Sequence, residues 1–340
     1  MSRPSREWHL VARPVGEAKP SDFSCVTGTV PDPGPGQVVV RNDFLSVDPV
    51  MRWRMNAGEA YIPNIPQFRL GEVMTGSAVG TVVASQAADV PAGATVVHSQ
   101  GWREYALLEG GAVRVVDTER APARAYLGVL GTTGLTAWAG LTDVAPVRDG
   151  DVVFVSGAAG AVGSVAGQLA RKLGAAKVIG SAGGPEKAKR LTERYGFDAA
   201  IDYREGRIAD RLAQAAPEGI DVCVDNVGGD HLDAALSAMR PHGRIALVGA
   251  VSGYNAAELP PGPANLPLAI GKRVTLRGMN VGDHAHLAAD FVQRAAAWLR
   301  DGSLVADETV VDGIDQAVEG FLAMMRGAGT GKTLIRLLHD

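Results

Sequence analysis

The sequence predicts an α/β chain: a β-rich N-terminal part followed by a doubly wound parallel sheet. Three observations lead there. Up to about residue 125, short β-branched runs are separated by proline- and glycine-rich turns. From about residue 126, strand-like and helix-like patterns alternate. Within that second part, Asp151–Ser181 reads DVVFVSGAAGAVGSVAGQLARKLGAAKVIGS, a buried strand run into a glycine-rich turn and then into a helix.

In chain order, Gln37–Asn42, Gly80–Ala84 and Ala94–Val97 read as strands, with turns at Pro31–Gly36 and Pro91–Gly93. Gly101–Ala106 reads as a further strand, and the spacing suggests a compact barrel or sandwich. Gly131–Trp138 begins a small-residue helix. Val152–Val155 is a strand, after which Val165, Leu169 and Leu173 recur at helical spacing until Gly174. Val178-Ile179 follows as a strand, then a helix from Pro185 to Tyr195 closed by Gly196. The alternation continues with strand Ala199–Tyr203, helix Ile208–Ala216, strand Ile220–Asp225, helix Leu232–Met239 and strand Gly243–Gly249. Val274–Gly278 completes six strands. A helix at Ala288–Leu299, a strand at Thr309–Gly313 and a helix at Ile314–Met325 precede the apolar run Leu334–Leu337. The stretch GTGKT before that run lacks the upstream glycine spacing of a nucleoside-triphosphate loop and precedes a strand. It is read as a closing strand that rejoins the N-terminal β part.

In a doubly wound sheet the ligand crevice lies beyond the C-terminal strand ends. That directs attention to Gly157–Ser164, Ser181, Tyr203, Asn226 and Gly249–Tyr254. The spacing Gly157, Gly160, Gly163 puts small residues where a backbone must turn sharply, at the start of a helix whose amides would receive a pyrophosphate. A glycine turn with no ligand is the competing reading. An NAD-preferring site would carry Asp or Glu about 20 residues further on. Here that corner is Gly180-Ser181-Ala182-Gly183-Gly184, followed by Glu186-Lys187-Ala188-Lys189-Arg190. An uncharged corner beside cations suits a ribose bearing an extra phosphate, so the cofactor expected is NADPH. Lys187 is assigned to the phosphate, Lys189 and Arg190 to a solvated helix face.

With 340 residues, 46% hydrophobic and 21% charged, the chain has ample capacity for two folded cores. A net charge of −4 gives no case for nucleic acid or a membrane surface as partner. Cys25 and Cys223 cannot make a zinc quartet and suggest a reducing compartment. The N-terminus, MSRPSREWHLV, lacks the apolar core of a signal peptide, and a cytoplasmic protein is expected.

The chain resembles the zinc-independent medium-chain dehydrogenase/reductases, in the branch of prostaglandin, alkenal double-bond and curcumin reductases. The resemblance covers nearly the whole length. It rests on Leu45–Arg52, Gly71–Met74, Ala158–Ser164, Glu186-Lys187, Asp225–Gly229, and Val251–Asn255 with Pro260–Pro263. It implies a GroES-like β domain (residues 1–125, with 305–340 returning to it) enclosing a Rossmann domain (126–304), with substrate in the cleft between them. It also implies NADPH, reduction of a carbon–carbon double bond conjugated to a carbonyl, and a homodimer. In the family's pattern Gly160, Ala161, Val162, Gly163 and Ser164 hold the pyrophosphate, and Lys187 and Tyr203 the 2′-phosphate. Asn226, Val248, Gly249, Ser252, Tyr254, Met279 and Val281 match segments lining the ribose and nicotinamide. Three positions depart: Val50 stands where the family has Tyr, Met279 where it has Phe, and Gly329 where it has Asn.

Hydride delivery to the β carbon of an enone builds negative charge on the carbonyl oxygen, which needs a hydrogen-bond donor. With no metal expected, the donor is a hydroxyl, from Tyr, Ser, Thr or the cofactor ribose. Tyr254 is the first choice, the competing reading being a packing tyrosine. Val50 and Tyr61 are the candidates on the substrate side, the preferred reading of Tyr61 being a plain loop aromatic. Trp53, Met55 and Phe68 are read as substrate wall or local core. His98 and His242 are read as structural, and His284 and His286 as a solvated loop pair. A quinone reductase of the same superfamily and a non-catalytic NADPH-binding protein are the alternative functions.

Overall fold

An antiparallel hairpin opens the chain, Arg3–Leu10 (β1) paired with Phe23–Val30 (β2) over its full length. Sequence pattern misses it because β2 is largely exposed and carries Ser, Thr and Gly instead of an alternating apolar set. The structure, a computed structural model, describes residues 2–57, 65–258 and 260–339. The chain divides into two units. The first spans Met1–Leu127, Glu308–Gly329 and Thr333–Asp340, and the second Gly128–Asp307 and Thr330–Lys332.

The first unit continues with Gln37–Ser46 (β3), a short helix Val50–Arg54 (α1), Ala78–Ser85 (β4), Thr95–His98 (β5), Tyr105–Glu109 (β6) and Arg114–Val115 (β7). β3 pairs antiparallel with both β4 and β6, and Val38, Val40, Val82, Val96, Ala106 and Leu108 pack inside. The strand expected from Gly101 begins only at Tyr105. Trp102 instead takes a left-handed turn (φ 61°), which brings its ring into the core, edge-on to Phe321. Met55 and Phe68 belong to this same core with Leu10, Leu45, Met51 and Met74, so they are packing residues. Trp53 is only partly buried.

His98 is structural, as its sequence context suggests. The buried ring accepts the Gln100 amide at Nδ1 (3.1 Å) and places Nε2 2.8 Å from Asn42 Oδ1, which fixes the neutral Nε2–H tautomer. Burial, with Arg103 nearby, pushes its pKa down to about 4 from 6.5. The unfolded chain therefore binds a proton that the folded one refuses. Stability is full above pH 6.5 and is lost as pH falls toward 4, by about 3 kcal/mol at 1.36 kcal/mol per unit. Urea unfolding of wild type and His98→Gln across this range is expected to show a smaller acid-side loss in the variant; parallel profiles would contradict the assignment.

In the second unit the helix Thr132–Ala139 (α2) runs on into a single π turn at Gly140–Val144. Six strands follow: Val152–Val155 (β8), Lys177–Ala182 (β9), Ala199–Asp202 (β10), Ile220–Asp225 (β11), Met239–Leu247 (β12) and Thr275–Gly278 (β13). They form one parallel sheet in the order β10-β9-β8-β11-β12-β13. The connecting helices are Gly163–Lys172 (α3), Pro185–Glu193 (α4), Ile208–Ala215 (α5), Gly229–Ala238 (α6) and Leu268–Lys272 (α7), and Ala288–Arg300 (α8) follows the last strand. The chain leaves β8 toward β10 and leaves β11 toward β13, so the topological switch lies between β8 and β11. Met239, expected to end α6, instead begins β12, and the left-handed His242 (φ 64°) lies within that longer strand.

The chain then returns to the first unit through Glu308–Asp312 (β14) and Ala317–Met325 (α9), and Lys332–Arg336 (β15) pairs antiparallel with β3, Leu334 opposite Ser46. The closing strand therefore lies where the sequence suggested. Among the described residues no helix is long and apolar enough to cross a membrane.

Candidate functional site

The glycine turn after β8 is built by close backbone approach. Gly157 has φ 59°, and a Cβ there would lie 3.3 Å from Val227 Cγ2, across the switch. A Cβ on Gly163 would lie 2.5 Å from the Gly157 carbonyl oxygen, so only glycine lets α3 start this near the strand. Gly160 N–H donates to Gly157 O and Ser164 N–H to Gly160 O. The amides of Ala161 and Val162 have no acceptor among the described residues, and the turn is exposed at Gly160. Open amides at the start of a ten-residue helix fit a pyrophosphate.

A buried knot joins the two sides of the switch. Ser156 Oγ donates to Asp225 Oδ1 (2.6 Å) and accepts the Asn226 amide (2.8 Å), while Asn226 Nδ2 donates to Ser156 O (2.8 Å). Asp225 also accepts the amides of Val227 and Gly228. Asn226 is thereby fixed at the end of β11. Asp225 stands out in the sequence only as a strand end and as part of the Asp225–Gly229 resemblance, and Ser156 carries no signal beyond its place just past the end of β8.

At the β9 end, Gly184 (φ 101°) precedes α4, whose first turn carries the partly buried Lys187. Burial, and then the charge of Arg204, push the Lys187 ammonium below its ordinary value. Tyr203 is 39% exposed and meets His231 edge-on at 5.2 Å. Lys189 contacts Glu193 (3.8 Å) and Arg190 pairs with Asp307 (2.7 Å), so these two cations are answered by the chain's own carboxylates. Burial would raise the Asp307 carboxyl, but hydrogen bonds from Arg194, Arg190 and Tyr195 overcome it and hold the group at about 2.

Beyond β12, the Val248 and Gly249 amides both donate to Asp225 O, and a Cβ on Gly249 would come 2.9 Å from Asn226 O. Ser252 Oγ donates to Val227 O (2.7 Å), which anchors the 251–254 turn to the loop after β11. Tyr254 is 7% exposed, and its phenolic oxygen accepts the Ala250 amide (3.3 Å). Burial raises the phenol above its ordinary value, so it keeps its proton at neutral pH and remains a donor. The Met279 amide donates to Leu247 O, and Val281 follows Asn280, whose side chain accepts the Gly282 amide.

All the expected nucleotide residues thus lie in one unit, in the turns after β8, β10, β11, β12 and β13 and at the start of α4. Val50 opens α1 in the other unit. Tyr61 lies outside the described residues. His284 corrects its expectation: it is buried, with Nδ1 3.0 Å from Oδ2 of Asp143 in the π turn after α2. His286 is exposed. The returning segment, which the family pattern sets near the cofactor, reaches the glycine turn: Gly331 N–H donates to Ala159 O (2.8 Å) and bridges Gly160, so Thr330–Lys332 lies against it. Gly331 is left-handed (φ 68°), and a Cβ there would overlap the Asp307 carbonyl.

Comparison with known proteins agrees with this architecture. Residues 6–116 match the family model described as the N-terminal domain of oxidoreductase, and residues 161–299 that described as zinc-binding dehydrogenase. Despite that second description, no group of three or more His, Cys, Asp or Glu among the described residues is placed to hold a metal ion. The chain is 37% identical to the NADPH-dependent curcumin reductase of Escherichia coli (strain K12), covering 99% of this chain and 98% of that one. It is 36% identical to the 2-alkenal reductase (NADP(+)-dependent) of Nicotiana tabacum, over 96% of this chain and 95% of the relative. The crystal structure of CurA from Vibrio vulnificus in complex with NADPH superposes with a TM-score of 0.92 at 33% identity, covering 98% of this chain and 100% of that one.

Proposed function

The chain belongs to the zinc-independent medium-chain dehydrogenase/reductases, in the branch of the curcumin, alkenal and prostaglandin reductases, and from this we propose that it reduces the carbon–carbon double bond of α,β-unsaturated ketones and aldehydes with NADPH. The observation that carries the reading is the pairing of open amides at Ala161 and Val162 with the uncharged corner Gly180–Gly184, just ahead of the cation Lys187. When bound, NADPH supplies the hydride that goes to the β carbon; a proton from solvent or a side chain completes the α carbon.

The protein's own contribution is placement and charge. The pyrophosphate rests on the Gly160–Ser164 turn, and the 2′-phosphate lies against Lys187 and Tyr203. Asn226, Val248, Gly249, Ser252, Met279 and Val281 line the ribose and nicotinamide. Tyr254 donates a hydrogen bond to the carbonyl oxygen as it becomes an enolate. Val50 and Tyr61 contact the substrate. We assign residues 1–125 with 305–340 to the substrate domain and 126–304 to the nucleotide domain.

The test is a panel of enals, enones and quinones, with consumption of reduced nicotinamide followed by absorbance. Deuteride carried from labelled NADPH is expected at the β carbon of an enone. Turnover restricted to quinones, or tight NADPH binding with no turnover at all, would overturn the reading.

The protein is further proposed to be a cytoplasmic homodimer. β13 is the outermost strand on its side of the sheet, and its outer edge has no partner strand among the described residues. Leu266 and Ile270, in the segment leading into it, are exposed at 49% and 82%. Light scattering is expected to give the mass of two chains; the mass of one would sink the assignment.

A further inference from the structure

Most cations near the β9 and β10 ends already have carboxylate partners: Arg190 and Arg194 take Asp307, and Arg211 takes Glu205. Arg204 has none among the described residues. It is nevertheless held in place from its backbone. The buried Asp202 carboxylate accepts the amides of both Gly184 (2.8 Å) and Arg204 (3.0 Å), which ties the turn after β9 to the turn after β10. Over that junction, a Cβ on Gly183 would lie 2.5 Å from the Tyr203 hydroxyl oxygen and 3.2 Å from Arg204 Nε. One on Gly184 would lie 3.7 Å from Arg204 Nη1. The phenol and the guanidinium therefore share the space above two glycines, at the start of the helix that carries Lys187.

We propose that Arg204 is a second cation for the 2′-phosphate of NADPH, acting with Lys187 to set the preference for the phosphorylated cofactor. The proposal rests on the nucleotide assignment made above. The charge of Arg204 already weighs on the Lys187 ammonium. Bringing two cations to one corner is unfavourable in the free protein, and a dianion between them removes that penalty. A guanidinium adds what an ammonium lacks, a planar fork that matches two phosphate oxygens at once. Asp202, the residue that could have resembled an NAD-type acidic position, is buried, and its Oδ1 accepts both the Gly184 and the Arg204 amides. It is a positioning residue for Arg204, not a ribose ligand.

The experiment is calorimetric titration of the full chain with 2′,5′-ADP and with 5′-ADP, for wild type, Arg204→Gln and Arg204→Lys. Wild type is expected to favour 2′,5′-ADP. Arg204→Gln should cut that preference about tenfold or more, the scale of one charge-assisted hydrogen bond, with 5′-ADP affinity changed less than about twofold. Retained 5′-ADP binding also reports that the variant is folded. Arg204→Lys should restore part of the preference. If wild type discriminates and Arg204→Gln discriminates equally well, Arg204 has no phosphate role while the cofactor reading stands. If wild type itself shows no preference, the cofactor reading falls, and this proposal with it.

Discussion

Replacing Lys187 with alanine is expected to raise the KM for NADPH about thirtyfold to a hundredfold while changing that for NADH by less than about threefold. Lys187 stands in the first turn of α4, partly buried, just after the uncharged pair Gly183-Gly184. A lysine that has given up part of its hydration regains it poorly without an anion, so its contact with phosphate is stronger than that of a surface lysine. A hydrogen bond to a charged group is worth about 1.5–3 kcal/mol, which sets the size of the loss. The unphosphorylated nucleotide never makes this contact, so its binding is the internal control. Steady-state kinetics with both nucleotides at saturating substrate would check it. Equal losses for the two would assign Lys187 to helix structure instead, and the phosphate site would need another anchor.

Tyr254→Phe is the second large effect: kcat is expected to fall about tenfold to a hundredfold, with the Kd for NADPH within about twofold of wild type. Removing one preorganised donor from a developing oxyanion costs about 100-fold to 1,000-fold in well-studied cases. The smaller figure here allows for a cofactor ribose hydroxyl that shares the charge. Burial favours the protonated phenol, which is the state the role requires. The substitution also removes the acceptor of the Ala250 amide, so fluorescence titration of NADPH should accompany the rate measurement. A fall in affinity matching the fall in rate would make Tyr254 a packing residue of the 250–254 turn. An unchanged rate would remove it from the chemistry altogether.

These residues could be chosen from the sequence because each follows an element with a strong local signal. β8 is a run of Val and Phe, α3 shows clear helical spacing, and Gly157 and Gly163 occur where backbones must nearly touch. The uncharged corner after β9 was legible for the same reason, since it is defined by what the chain lacks over five consecutive residues. Six strands in alternation with helices then fix where their C-terminal ends must gather.

What local pattern could not supply was every contact between segments far apart in the chain. The Ser156–Asp225 knot joins residues 69 apart, and each looks ordinary beside its neighbours. Asp202 reads as a strand-end carboxylate; only the parallel register of β9 and β10 turns it inward to the Gly184 and Arg204 amides. His284 sits in a polar loop by sequence yet is buried, with Asp143 of the π turn about 140 positions earlier 3.0 Å from its Nδ1. The β1–β2 hairpin escaped notice because a two-stranded ribbon with one wet face needs no alternating pattern. Trp102 broke an apparent strand because its ring is buried against Phe321, more than 200 residues away.

By itself, the sequence determined the doubly wound sheet, the glycine turn and the uncharged corner from which NADPH is expected. Each depends on residues close enough along the chain to act on one another before the chain folds. The tertiary structure decided which charged side chains remain available to a ligand. That outcome depends on which carboxylates fold back to meet them, and it is settled by distance in space rather than by order in the chain.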